Sequence, residues 1–157
     1  MTGTITINVL GRFEAALDQM VALSFFIPLL IGTGGNTGAQ TVSTMVRGMA
    51  LGEIELRDGW RVIGRELPSG LVLGLLLAVV AFAFALLLGN PPDLALVVAL
   101  AVIAVCTWAN TIGALVPLVA QRVGLDPALV SAPLITTLVD ATGLAIYLLI
   151  ATAVLGL

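Results

Sequence analysis

Asp140 is the only charged residue between Ala128 and Leu157, in an otherwise continuous apolar stretch. If a helix begins near Ala128, Asp140 lies roughly 18 Å along its axis at about 1.5 Å per residue. That is close to the middle of a hydrocarbon core about 30 Å thick. An ionised carboxylate at that depth costs at least about 2.5 kcal/mol, so it calls for a water-filled path, a cation or a partner. The sequence has no lysine or histidine, and no arginine falls near that depth, so an internal salt bridge is not the explanation. The remaining readings are a cation or proton path, which we favour, and a protonated carboxyl hydrogen-bonded to a neighbouring helix.

Three, four, seven and eight positions earlier on the same helical face stand Thr137, Thr136, Pro133 and Ala132. Pro133 has no N–H, so a carbonyl one turn back is expected to be free. Gly143, almost one turn later, would let another helix or a hydrated ion approach. A carboxylate among hydroxyls and carbonyls is an all-oxygen environment suited to hard cations. Mg²⁺ in particular keeps several waters and needs few carboxylates. Na⁺ or a proton would be served by the same residues, so the ligand set leaves the ion open.

A second polar feature interrupts the first apolar stretch: "PLLIGTGGNTGAQ", Pro28 to Gln40. Non-helical backbone at membrane depth must be buried in protein or line a cavity. Gly32, Gly34, Gly35 and Gly38 would permit such a break, with Asn36 and Gln40 supplying side-chain amides. Alternatively, Gly34 and Gly38 form a close helix contact, as Gly70 and Gly74 could. Glu66, beside Arg65 and Pro68, could attract cations or simply mark a helix start. Asn110 and Thr111 read as helix-to-helix hydrogen-bonding groups, and Trp60, Trp108 and Tyr147 as interface or packing aromatics. Asp126-Pro127 reads as an N-cap and first residue of the last helix.

These residues need spans to carry them. Of the 157 residues, 60% are apolar and 10% charged, and the mean hydropathy is +1.19. That is a membrane composition. We expect an all-α integral membrane protein, residues 1–157 forming one domain of four full spans. The stretches are about 15–31 continuing to 50, 69–88, 94–123 and 128–157, with breaks at "NPPD" (Asn90–Asp93) and "GLDP" (Gly124–Pro127). The third is expected to be interrupted at Asn110–Gly113 and Pro117, and Ile5–Phe13 resembles the tail of a fifth span. Arg47, Arg57, Arg61 and Arg65 crowd the first connection, and Arg122 the third. The positive-inside bias then places both connections in the cytoplasm and the C-terminus outside. Only Arg12 falls on the outer side, beside Glu14 and Asp18, which could neutralise it. A single cysteine, Cys106, and no histidine exclude a disulfide framework, Cys/His metal sites and nucleophile–His catalysis, and no phosphate loop appears. A net charge of −3 argues against nucleic acid, and the N-terminus does not read as a secretory signal. An enzyme is not expected.

The segments "PLLIGTGGNTGAQ", "VRGMALGEI", "RELPSGLVLG" and "PLVAQRVGLDPALVSAPLITTLVDATGLAIYLLIA" resemble, in order, the membrane domain of the MgtE family of magnesium channels and transporters. The likeness runs from about Phe13 onward, and its longest pattern is "DPA…S.PLITT..D..GL". It implies a homodimeric bundle in the inner membrane, conducting Mg²⁺ down its gradient through a pore at the subunit interface. Asp140 falls on the family's central acid, and two copies would make a carboxylate ring around a largely hydrated ion. Thr136 and Ala132 fall where the family supplies backbone oxygens, and Gly35, Asn36 and Gly38 where it packs near the pore. Gln40, Thr137, Gly143 and Glu66 are grouped with them as lining or supporting residues. Family members typically add cytoplasmic Mg²⁺-sensing domains and a complete fifth span. With neither read in this sequence, closure by internal Mg²⁺ is not expected of it. A Mg²⁺/Na⁺ or Mg²⁺/H⁺ exchanger, and an accessory subunit completing its pore with a partner chain, are the alternatives.

Overall fold

The computed structural model describes residues 2–13, 21–130 and 132–156. Glu14 and Asp18, expected to neutralise Arg12, lie outside them. Every regular element among the described residues is helical: α1 (Thr2–Arg12), a 3₁₀ turn (Val21–Phe26), α2 (Ile27–Ala50), α3 (Gly59–Leu87), α4 (Pro92–Arg122) and α5 (Ala132–Leu155), with short 3₁₀ turns at Leu56–Asp58 and Pro127–Leu129. Four segments are long and apolar enough to cross a membrane: Val21–Ala50, Leu56–Leu87, Pro92–Arg122 and Ala132–Leu155. The chain is a multi-pass membrane protein. At about 1.5 Å per residue, α1 spans roughly 16 Å. It packs on α5, with Val9 and Leu10 against the core.

α4 is the central element. Its sequence is apolar on all sides, and such a helix belongs in the middle of a bundle. Leu94, Ala95, Val97, Val98, Ala101, Val102 and Cys106 are all buried, packed with Leu30 of α2 and Leu144, Tyr147 and Leu148 of α5. α3 is built the other way round. Its small residues Gly70, Gly74, Ala78, Ala81 and Ala85 are buried, while Val72, Leu76, Val79, Val80 and Leu87 are exposed. Lipid is as apolar as leucine, so helices gain more by close backbone approach than by hiding large side chains. A Cβ on Gly74 would stand 2.9 Å from the Ile103 Cα and 3.0 Å from its carbonyl oxygen. Here, then, the glycine is needed for proximity.

Several boundaries differ from the sequence reading. α3 starts at Gly59, ten residues before the expected span, and carries Pro68 inside it. Arg61 and Arg65 therefore ride on its first turns rather than in a loop, and Arg47 and Arg122 occupy the last turns of α2 and α4. A proline removes one backbone hydrogen bond, which a long, otherwise intact helix tolerates. α4 likewise runs without interruption through Asn110–Gly113 and Pro117. Thr107 and Thr111 donate to the carbonyls of Ile103 and Thr107, at 2.8 and 2.7 Å, so their hydroxyls are satisfied without breaking the helix.

The glycine-rich stretch is also helical throughout, so of the two readings offered for it the close helix contact holds and the break does not. Thr37, Ser43 and Thr44 each donate to the carbonyl four residues back, at 2.8, 2.7 and 3.0 Å. Gly34, Gly35 and Gly38 are buried against α4 and α5. Tyr147 is a packing aromatic: fully buried, it donates from its hydroxyl to the Leu23 carbonyl at 2.9 Å and ties α5 to the 3₁₀ turn that leads into α2. Tyr147→Phe is expected to lose roughly 1 kcal/mol, by leaving that carbonyl without its partner. Reversible unfolding in mixed micelles would measure it.

Candidate functional site

α5 begins at Ala132, because Pro127–Leu129 forms a separate 3₁₀ turn. Asp126 caps that turn, its carboxylate accepting from the Ala128 N–H at 2.9 Å, and so does not start α5 as expected. Asp140 consequently stands eight positions into the helix, roughly 12 Å along it rather than 18 Å. Pro133 falls in the first turn of α5. Its missing N–H is one of the groups that any helix start leaves unpaired, so it frees no interior carbonyl.

Asp140 faces α2. A Cβ on Gly35 would come within 3.0 Å of the Asp140 Oδ1 and 2.9 Å of the Thr136 Cγ2, so a side chain at 35 would press both aside. Thr136 reaches the Gly35 carbonyl with its hydroxyl at a long 3.5 Å. The Asp140 Oδ1 is buried and has no hydrogen-bond partner among the described residues. A carboxylate oxygen without a donor is costly inside a protein and marks a place that something else must complete. No group of three or more Cys, Asp or Glu that could hold a metal occurs among the described residues.

Around this point the polar residues divide. Asn36 and Gln40 are exposed on α2 and, with Ala39, Ser43, Thr44 and Ala132, line an open cavity of about 540 Å³. Ala132 thus lines the cavity, and Thr136 and Asp140 follow one and two turns later on the same helix, outside its lining. Thr137 donates to the Pro133 carbonyl at 2.8 Å within α5. Gly38 and Gly143 are spacers within the subunit: a Cβ on Gly38 would lie 2.9 Å from the Ile135 side chain, and one on Gly143 would lie 3.3 Å from Val105. Gly143 therefore admits α4, the helix approach of the two read for it from sequence.

Glu66 is not beside Asp140. It lines a smaller cavity of about 130 Å³ with Gln40, Thr41, Thr44 and Met45. Asn110, 7% exposed, holds it from α4, donating to the Glu66 carbonyl at 2.6 Å and to Oε2 at 3.0 Å, while its own Oδ1 accepts from Thr41. This is the interhelical bonding read for Asn110, now with its partners. Thr41, Ser43 and Thr44 were missed. For Ser43 the signal was present, since Asn36, Gln40, Ser43 and Arg47 recur at helical spacing on one face.

The family model of MgtE, described as divalent cation transporter, matches residues 27–150. The chain belongs to the MgtE family. The match begins at the first residue of α2 and covers Gly35, Asn36, Gln40, Glu66, Ala132, Thr136 and Asp140. Proteins named magnesium transporter MgtE are similar across almost the whole chain. That of Thermus thermophilus is 42% identical over 99% of this chain, and those of Bacillus subtilis and Enterococcus faecalis are 34% identical over 96%. The chain spans about a third of the length of these MgtE relatives, 34%, 34% and 33% in turn.

Proposed function

We propose that this chain forms the membrane part of a Mg²⁺ pathway, with the ion passing between two copies of the chain and held at Asp140. The observation that carries the reading is the Asp140 Oδ1, packed against Gly35 with no donor among the described residues, on the same helix as Ala132, which lines an open cavity with Asn36, Gln40 and Ser43. Exposed amides and hydroxyls within a span are costly against lipid. A second copy facing this surface across water removes that cost and brings two carboxylates to one place. Two carboxylates, with backbone oxygens of Thr136 and Ala132 one and two turns earlier, suit a hard cation that keeps most of its waters. The names of the relatives support Mg²⁺ as that cation.

Orientation follows from the arginines. Arg47 ends α2, Arg61 and Arg65 open α3, and Arg122 ends α4, so all share one end of the bundle. The turn from α3 to α4 at the other end has none. The arginine-bearing end is placed in the cytoplasm and the end of α5 outside.

The test is Mg²⁺ uptake into liposomes holding the purified chain, with Na⁺ and H⁺ gradients varied independently. Uptake indifferent to both gradients is expected. Dependence on either would instead support an exchanger. A folded dimer without uptake would reject the pathway as proposed and favour an accessory subunit that needs a partner.

A further inference from the structure

Glu66, Gln40, Thr41 and Thr44 occupy a place that the Asp140 site does not use. We infer that their cavity is a second divalent-cation site, one per chain, built on the Glu66 carboxylate. The inference rests on the transport reading for the class of ion, and its geometry is independent of Asp140.

The carboxylate is positioned before any ligand arrives. Asn110 is buried and spends both amide protons on Glu66, one on its backbone carbonyl at 2.6 Å and one on Oε2 at 3.0 Å. The amide oxygen is taken by Thr41. Asn110 thus fixes α2, α3 and α4 at one level and turns Glu66 toward the cavity. The Glu66 Oε1 makes no hydrogen bond or ion pair among the described residues: the two ion pairs found there are Arg57–Glu55 and Arg61–Asp58. A half-buried carboxylate, oriented by a neutral amide and not paired with arginine among the described residues, is arranged to meet a cation.

The remaining wall is oxygen-rich. Gln40 brings an amide, and Thr41 and Thr44 bring hydroxyls whose second lone pairs are available. The cavity of about 130 Å³ equals roughly four water volumes at about 30 Å³ each. It therefore suits an ion that retains part of its hydration and uses one carboxylate, as Mg²⁺ does. A bare multi-carboxylate cage is not available here, in keeping with the absence of acidic clusters among the described residues.

Gln40 and Thr44 line both this cavity and the open one that Ala132 of α5 also lines. They lie five and nine positions beyond Gly35 on α2, toward Arg47, or roughly 8 and 14 Å along the axis. The Glu66 site thus borders the route between Asp140 and the arginine-bearing end of the bundle. An ion leaving Asp140 toward that end meets a carboxylate before it meets the arginines.

Mn²⁺ binding to the purified chain tests this, counted by electron paramagnetic resonance, because Mn²⁺ accepts the same oxygen ligands. Glu66→Gln keeps an acceptor for Asn110 and so preserves the packing. It is expected to lose one Mn²⁺ per chain, or to weaken that ion at least tenfold, on the order seen when a metal site loses a partner. Asp140→Asn is expected to keep the Glu66 ion and lose another. Thr44→Val provides a second test, since the Thr44 hydroxyl bonds only to Gln40 of its own helix among the described residues. It should weaken the same ion without loss of stability. Wild-type Mn²⁺ number and affinity in both Glu66→Gln and Thr44→Val would overturn the inference. Should Asp140→Asn keep every ion while Glu66→Gln loses one, the Asp140 assignment fails and the Glu66 site stands.

Discussion

Asp140→Asn is expected to reduce Mg²⁺ uptake by more than a hundredfold while leaving the protein folded. The magnitude follows from charge alone. A doubly charged ion about 5 Å from a carboxylate is attracted by roughly 1.7 kcal/mol even at the dielectric constant of bulk water. Two carboxylates, one from each copy, give roughly 3.3 kcal/mol, or between two and three orders of magnitude in occupancy. A less polar surrounding raises that figure, so it is a lower bound. Stability should move the other way. The Asp140 Oδ1 is buried with no donor among the described residues, so it stabilises nothing within its own chain. An amide of the same shape has less to lose on burial than a carboxylate. Uptake by Asp140→Asn liposomes, measured beside the unfolding midpoint of the same preparation, checks both. Full uptake in the folded variant would remove Asp140 from the pathway. Loss of uptake together with loss of folding would make it a packing residue.

Gly70→Val is expected to be among the most destabilising single changes in the bundle, by roughly 2–5 kcal/mol. A Cβ at Gly70 would stand 2.8 Å from the Asn110 Cβ, 3.0 Å from the Cys106 carbonyl oxygen and 3.0 Å from the Thr107 Cα. Two of these are backbone atoms of α4, which cannot swing aside as a flexible side chain would. Overpacking of this kind costs about 1–3 kcal/mol. The helices would have to part, and one turn away Asn110 would lose the Glu66 carbonyl, held at 2.6 Å. An interhelical hydrogen bond within a membrane adds about 1–2 kcal/mol. Gly64, on the same helix, is the control, because a Cβ added there would meet nothing within 4 Å. Gly64→Ala should be neutral or stabilising by up to about 1 kcal/mol, since alanine is the better helix former. Equal unfolding free energies for the two variants in mixed micelles would refute the close α3–α4 contact.

The two glycines illustrate what a sequence conveys in lipid. Gly64 and Gly70 read alike, and the spacing of Gly70 and Gly74 suggests a helix contact without naming its partner. The four spans were legible because length and hydropathy answer directly to bilayer thickness. Asp140 was legible for the same reason: a lone carboxylate in an apolar run violates the cost of burying charge. Helix limits were not. Pro68, Pro117 and the glycines of "PLLIGTGGNTGAQ" are breakers by propensity, yet α2, α3 and α4 run through them. In lipid the backbone has no water to fall back on, so helix is retained wherever neighbours permit it.

Glu66 shows the other limit. By position it reads as a helix-start charge, because nothing near it in sequence indicates that Asn110, 44 residues later, turns it inward. Gly35 and Asp140 are similarly distant in the chain and meet only when α5 packs on α2. The sequence by itself determined membrane class, the four spans and the one charge that a span must explain, since each follows from the solvent and local composition. The family resemblance read from its motifs holds across residues 27–150. The tertiary structure alone decided which polar groups share a cavity, which glycines face backbone, and which carboxylate oxygen is left without a donor. Those outcomes depend on contacts between helices, which neither hydropathy nor periodicity encodes.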